Sequence, residues 1–250
     1  LALVTGASRG IGAAIVTALA PTCDFLLAAR SVAALDGIAA AASAAGARIH
    51  GCFGVALEDP AALAGFASEV AGANVDVLVC NAGVAPSASL GKTDDDTWRR
   101  VMAINLDAPF VLSRAIVPAM AKRGWGRVVH IASTAALKGY RYTAAYSASK
   151  GGLVALMRAT AAEVAGTGVT ANAVCPGFVD TDIVADAVAK ISKLTGRDPS
   201  TARSDLAGFS PQGRLVGADE VAAMVAYLVS EAAGAVNGQA LALDGGETTL

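Results

Sequence analysis

The sequence predicts an α/β fold: one doubly wound parallel sheet of about seven strands with helices on both faces. Three observations carry that prediction. Short apolar runs alternate with alanine-rich helical runs, which implies right-handed crossovers and a sheet buried on both sides. The first apolar run ends in a glycine-rich turn that opens a helix. Distinctive polar residues then recur where apolar runs end, the edge at which open parallel sheets bind ligands.

Leu1 to Thr5 is the first strand and runs straight into Gly6-Ala-Ser8-Arg9-Gly10-Ile11-Gly12. Ala13 to Ala20 continues as a helix until Pro21 stops it. Glycines allow a tight turn and close backbone approach, and the helix N-terminus supplies free N–H groups and a positive dipole. A dinucleotide pyrophosphate needs both. The spacing is Gly-x-x-x-Gly-x-Gly, so the strand–turn–helix context carries the reading more than the bare pattern does.

Asp24 to Ala29 is the second strand. In dinucleotide folds an acidic residue near its end holds the ribose 2′-hydroxyl of NAD. This chain instead offers Ala29 and Arg30; Asp24 lies at the wrong end and Asp36 in the next helix. Arg30, with Arg9 in the glycine turn, suits a 2′-phosphate, so NADP(H) is the preferred cofactor and NAD(H) the alternative. The plainer reading of Arg30 is a solvated strand-end residue.

The period then repeats. Val32 to Ala45 is a helix, Arg48 to Phe53 a strand, Pro60 to Ala71 a helix, and Val75 to Cys80 a strand closed by Asn81-Ala82-Gly83. Thr93 is placed to cap a helix opening with Asp94-Asp-Asp96, a pattern that continues from Asn105 to Ala121 with Pro109 and Pro118 as disturbances. Asn105 falls among apolar helical positions, where its carboxamide needs partners. It is either an ordinary core residue or the seat of a water that bends the helix. Arg127 to Ala132 is the fifth strand, with Ser133-Thr134 at its exit and His130 expected as a satisfied core residue.

Thr143 to Ala165 is the long helix, and Val169 to Cys175 the sixth strand, broken by Pro176-Gly177. Residues 180–215 leave the rhythm, as a lid over a binding edge does. Ala218 to Ser230 and Gln239 to Leu243 give the last helix and strand. With no internal linker, residues 1–250 read as one domain.

Composition narrows the partners. The chain is 54% hydrophobic and only 5% aromatic, so small and branched aliphatics do the burying. A net charge of −2 with scattered basic residues gives no nucleic-acid or anionic-membrane footprint. No apolar run looks long and charge-free enough to span a bilayer. Cys23, Cys52, Cys80 and Cys175 are widely spaced in apolar surroundings and read as buried free thiols in a reducing compartment. His50 and His130 are too few and too far apart for a metal site. The chain starts inside an apparent strand without methionine, which leaves room for a few upstream residues or a short targeting segment.

Tyr146 and Lys150 open the long helix one turn apart on one face. An ammonium held near a phenol favours the phenolate and lowers its pKa from about 10. Such a phenol is a proton donor for a carbonyl oxygen. Tyr140 and Tyr142 compete for the role, but neither has a lysine four residues on.

These pieces together carry a family likeness. Thr5-Gly-Ala-Ser-Arg-Gly-Ile-Gly12, Asn81-Ala-Gly83, Asn105, Ser133, Tyr146-x-x-x-Lys150 and Pro176-Gly177 followed by Thr181 resemble the short-chain dehydrogenase/reductase family over nearly the whole chain. The segments from Ser133 to Lys150, Val174 to Phe178 and Pro211 to Arg214 look most like bacterial 3-oxoacyl reductases. They are also similar to polyketide ketoreductases and 3-hydroxyacyl-CoA dehydrogenases.

The resemblance implies a Rossmann-type fold and four catalytic residues. Tyr146 would protonate the carbonyl oxygen, Lys150 would lower the phenol pKa and bind the nicotinamide ribose, and Ser133 would bond the same oxygen. Asn105 would anchor a water linking Lys150 to solvent. Pro176, Gly177, Val179 and Thr181 would sit at the nicotinamide, with Gly6, Ser8, Gly10, Ile11, Gly12, Asn81, Ala82 and Gly83 also against the cofactor. One departure stands out. Ala56 replaces the aspartate that many relatives use for adenine, leaving Leu57 to offer backbone contacts.

The function implied is NADP(H)-dependent reduction of a 3-oxoacyl thioester, carried on acyl carrier protein or coenzyme A, by a cytoplasmic homotetramer. An NAD-linked 3-hydroxyacyl-CoA or hydroxy-acid dehydrogenase is the close alternative. A catalytically silent nucleotide-sensing protein is the alternative of another class.

Overall fold

A computed structural model describes residues 1–249. Seven strands form one wholly parallel sheet: β1 (Ala2–Thr5), β2 (Phe25–Ala29), β3 (Ile49–Gly54), β4 (Val77–Cys80), β5 (Gly126–Ile131), β6 (Val169–Pro176) and β7 (Ala240–Leu243). Their spatial order is β3-β2-β1-β4-β5-β6-β7, so the chain reverses its winding direction between β1 and β4. A doubly wound sheet opens its ligand crevice at that reversal. β1, β4 and β6 are buried along their whole length, as a central parallel sheet requires.

Helices cover both faces. α1 (Gly10–Leu19), α2 (Asp36–Ala44) and α9 (Ala218–Val229) lie on one side, where Ile15, Val16, Val221, Val225 and Leu228 meet Val4, Leu27, Val79 and Val129. α3 (Pro60–Ala71), α4 (Asp95–Met102), α5 (Ala108–Arg123) and α6 (Ala144–Glu163) follow in the other crossovers. On that second face Phe66, Leu112, Ile116, Leu153 and Met157 pack on Leu3, Leu78 and Val128. Alternate strand residues serve opposite layers, so the central strands are apolar at most positions.

Several local expectations are corrected. Asp94, not Thr93, caps α4, because its carboxylate reaches the Thr97 amide at 2.7 Å. Between α4 and α5 the helix widens into a π turn, Ala103–Asp107, with Asn105 at its centre. The continuous helical run Asp95–Arg123 has an apolar 18-residue window of mean hydropathy 1.3, long enough to cross a membrane by length and composition. Half of that window is buried within the fold, which marks a core helix. Cys80 and Cys175 are buried, but Cys23 and Cys52 are only half-buried. His130 is fully buried, yet neither ring nitrogen has a partner among the described residues. Burial, helped by the Lys150 charge, holds its pKa down at about 4.

Residues 180–215 contain α7 (Asp182–Thr195) and α8 (Pro199–Ala207). Val184, Val188, Ala202 and Leu206 give this hairpin a small core of its own.

Candidate active site

The cofactor edge is built from backbone crowding. Gly6 sits at φ +64°, and a Cβ there would lie 2.9 Å from both Ala82 Cα and Asn81 Nδ2. A Cβ on Gly12 would lie 2.1 Å from the Gly6 carbonyl oxygen, which fixes α1 directly against the turn. Asn81 Nδ2 donates to the carbonyls of Thr5 and Gly6 at 3.0 and 3.1 Å, while the amides of Asn81 and Ala82 donate to Thr5 Oγ1. Thr5 heads the glycine motif in sequence, where it carries no assigned role, and here its hydroxyl ties the Asn81–Ala82 turn to β1. Its signal was its place directly before the first glycine.

This cradle fits a dinucleotide. The turn has no room for a Cβ at Gly6 or Gly12, and Arg9, at the cap position of α1, uses no side chain to satisfy the first amides. Ser8 and Ile11 are half-buried at its rim. Arg30 is exposed just beyond β2. Arg9 is exposed too, but its guanidinium is engaged: Nη1 lies 2.9 Å from Asp182 Oδ2. Leu57 turns its side chain into the core beside α3, and Ala56 is exposed at the same edge.

Tyr146 and Lys150 stand one turn apart at the start of α6. Lys150 is buried, donates to the Ile131 carbonyl at 2.7 Å, and has its Nζ 5.9 Å from the centre of the Tyr146 ring. Ser133 follows β5, and its Oγ accepts from the Ala135 amide at 3.1 Å. Asn105 and Lys150 converge on Gly83, where a Cβ would lie 3.3 Å from Asn105 Oδ1 and 3.5 Å from Lys150 Nζ.

The π turn explains how Asn105 gets there. Its carboxamide pairs with the backbone of Val84 in both directions at 2.9 Å and donates to Ser149 Oγ at 3.1 Å. Asn105 thus clamps the loop after Gly83, a structural duty beyond either sequence reading.

Protonation differs from the sequence expectation. Burial raises the Tyr146 phenol above its ordinary value, while a hydrogen bond from Ser133 pulls the other way. Burial acts on the lysine as well and brings Lys150 down to about 8. Cys80 and Cys175 are pushed up by burial to about 12 and about 11, so both remain thiols beside the lysine.

Tyr140 and Tyr142 are not aimed at this site. Tyr142 is exposed at φ +69°, and the Tyr140 hydroxyl is spent on Thr134 and Glu247. At the far end, Pro176 closes β6, the Gly177 amide donates to the Leu243 carbonyl at 3.1 Å, and Val179 bridges to Val216. Thr181 stands at the N-terminal cap position of α7 without a side-chain capping bond and packs on the glycine turn, 3.3 Å from where a Gly10 Cβ would stand. Residues far apart in sequence are therefore gathered at one sheet edge.

The family model for short chain dehydrogenases matches residues 1–192. The chain is 34% identical to 3-oxoacyl-[acyl-carrier-protein] reductase FabG of Escherichia coli, covering 98% of this chain and 96% of that one. It is 38% identical to galactitol 2-dehydrogenase (L-tagatose-forming) of Cereibacter sphaeroides, over 99% and 94% of the two chains. Among solved structures, a variant of actinorhodin polyketide ketoreductase with NADPH superposes at a TM-score of 0.92 with 35% identity, over 100% and 97% of the chains. With that match over the glycine turn, the sheet edge and the tyrosine–lysine helix, the chain belongs to the short-chain dehydrogenase/reductase family and is an NAD(P)-dependent oxidoreductase acting on alcohol and ketone groups.

Proposed function

We propose that the protein is an NADP(H)-dependent reductase of a 3-oxoacyl thioester or a similar ketone, with residues 1–250 acting as one domain and 180–215 as its substrate lid. The observation that carries this is a phenol, Tyr146, standing one helical turn from a buried lysine whose Nζ lies 5.9 Å from its ring centre. A reductase needs a proton on that phenol before each turnover.

Tyr146 holds the proton for the carbonyl oxygen, general acid work that contributes about 10²–10⁴-fold. Ser133 bonds the same oxygen and stabilises its developing charge. Lys150 places a positive charge beneath the phenol and orients the ribose. Asn105 holds the Gly83–Val84 backbone that borders the lysine. Gly6, Ser8, Gly10, Ile11, Gly12, Ala82 and Gly83 would receive the dinucleotide, with Pro176, Gly177, Val179 and Thr181 at its nicotinamide end. Leu57 would offer its backbone to the adenine. When bound, the cofactor supplies the hydride. Similarity to FabG and to a polyketide ketoreductase supports a 3-oxoacyl substrate, on acyl carrier protein or coenzyme A.

A specific observation favours a second reading. Asp182 engages Arg9 and so leaves Arg30 as the unengaged guanidinium of the pair, which weakens the case for a 2′-phosphate and favours an NAD-linked dehydrogenase. We also place the enzyme in the cytoplasm as a homotetramer. The α4–α5 face, which leaves Trp98 and Phe110 exposed, suits such association.

Steady-state kinetics with NADPH and NADH over 3-oxoacyl thioesters, simple ketones and polyol-derived ketoses tests the assignment. We expect the highest kcat/KM for a 3-oxoacyl thioester with NADPH, and its loss in Tyr146→Phe with cofactor affinity kept. A preference for NADH with hydroxy-compound oxidation would install the second reading. Cofactor binding without turnover across the panel would point to nucleotide sensing.

A further inference from the structure

Beside the short turn after Ser133 lies a partly buried polar cluster that the proposed reaction does not use. Glu247, in the segment after β7, has a side chain only 2% exposed. Its Oε1 is 2.6 Å from the Tyr140 hydroxyl and 3.0 Å from Lys138 Nζ. The Tyr140 hydroxyl is also 2.7 Å from Thr134 Oγ1.

Proton counting gives this chain a direction. A carboxylate only accepts, so the single Tyr140 proton goes to Glu247. The Tyr140 oxygen must then accept from Thr134. The order is Thr134 to Tyr140 to Glu247, ending on a charge, and hydrogen bonds to a charged acceptor are the strong ones. Burial and the Glu247 contact both raise the Tyr140 pKa, which keeps that proton in place.

The far end is anchored as firmly. Asp244 accepts from the Gly246 and Thr248 amides, each at 2.9 Å, forming the turn that presents Glu247. Glu247 Oε2 lies 3.3 Å from where a Gly177 Cβ would stand, so the carboxylate also backs the Pro176–Gly177 turn. The Tyr140 ring packs edge-on against Phe178 and Phe209, at 6.2 and 5.9 Å between centroids. Tyr140 thus touches the strand exit, the end of α8 and the residue after Ser133.

Thr134 is buried and begins the short turn Thr134–Ala136, which Ser133 itself caps through Ala135. We propose that Tyr140 and Glu247 are a positioning pair that fixes, through Thr134, the direction in which the Ser133 hydroxyl points. With Ser133 Oγ already accepting from Ala135, its proton is left to face Tyr146 and the substrate oxygen. The proposal rests on the reading of Ser133 as donor to that oxygen.

The test is a double-mutant cycle in the full enzyme. Tyr140→Phe keeps the ring and deletes the chain. We expect kcat to fall about tenfold, within the range for coupled members of one network, with NADPH affinity by fluorescence titration unchanged. In a Ser133→Ala background the same change costs nothing further. Glu247→Gln, which still offers an oxygen to Tyr140, recovers most of what Glu247→Leu loses. Wild-type kcat in Tyr140→Phe overturns the proposal, as does an equal loss in both backgrounds, which general loosening produces. Full activity in Ser133→Ala overturns the reading of Ser133 itself and the positioning role with it. Should Tyr140→Phe fail to fold, Thr134→Val breaks the chain at its other end and must give the same non-additive pattern.

Discussion

The two walls of the crevice are held by different physics. On the cofactor side, Gly6, Gly12, Asn81 and Thr5 interlock at backbone distance, and added atoms meet backbone within 3 Å. On the side formed by residues 180–215, α7 and α8 share a small apolar core and reach outward through exposed polar contacts. Arg9 meets Asp182 with both side chains 61% exposed and Lys190 reaches the Ser87 carbonyl, while Arg203 meets Asp180 within the segment itself. Backbone interlock admits one geometry, whereas screened charges on long side chains admit many. The first arrangement is held to one geometry, and the second is free to adjust.

Breaking the interlock is expected to have the largest effect. Gly12→Ala places a methyl group 2.1 Å from the Gly6 carbonyl oxygen. We expect loss of measurable cofactor binding by fluorescence titration and a clear fall in Tm, since overpacking costs about 1–3 kcal/mol or more.

Between the walls, the chemistry should report on Lys150. Its pKa is lowered by burial to about 8, so the ammonium is present below that pH and lost above it. The proposed reduction draws on that charge, so kcat/KM should be level on the acid side and fall about tenfold per unit beyond the limb. A pH–rate profile in the reductive direction checks this, and a flat profile through pH 8 counts against it.

Arg30 sharpens the contrast on the cofactor side. A charge-assisted bond to a 2′-phosphate is worth about 1.5–3 kcal/mol, so Arg30→Ala should cut NADPH preference by about tenfold or more. NADH kinetics should hardly change. The ratio of kcat/KM values measures it, and an unchanged ratio returns Arg30 to the solvent.

The smallest effect belongs to the Arg9–Asp182 tether. Asp182→Asn frees Arg9 and should improve the NADPH KM by only about two- to fivefold, the scale of an exposed ion pair. The gain should fade with added salt. Titrating both enzymes across ionic strength reads it directly.

Residues whose position follows from local geometry were legible in sequence. The glycine turn, the Tyr146–Lys150 turn of helix and the apolar strands all announce themselves within a few positions, and the structure places them together. What was hidden depends on distant partners. Glu247 meets Tyr140 across 107 residues and Asp182 meets Arg9 across 173, with no periodicity to betray either. Asn105 sat in a helical pattern that cannot distinguish an α turn from a π turn. The direction of the Tyr146 shift was missed because spacing shows the neighbouring charge but not the depth of burial.

The clamp of Asn105 on Val84 also sets how a loop breathes. Residues 81–88 form neither strand nor helix, and a solvent-facing loop of that kind would ordinarily exchange its amide protons quickly. The Val84 amide is instead bonded to a side chain from the centre of the π turn, fully buried between α4 and α5. Its proton is released only when that helical junction opens. In hydrogen exchange Val84 should therefore behave as a member of the helix layer, slow and cooperative, inside a stretch of otherwise irregular chain.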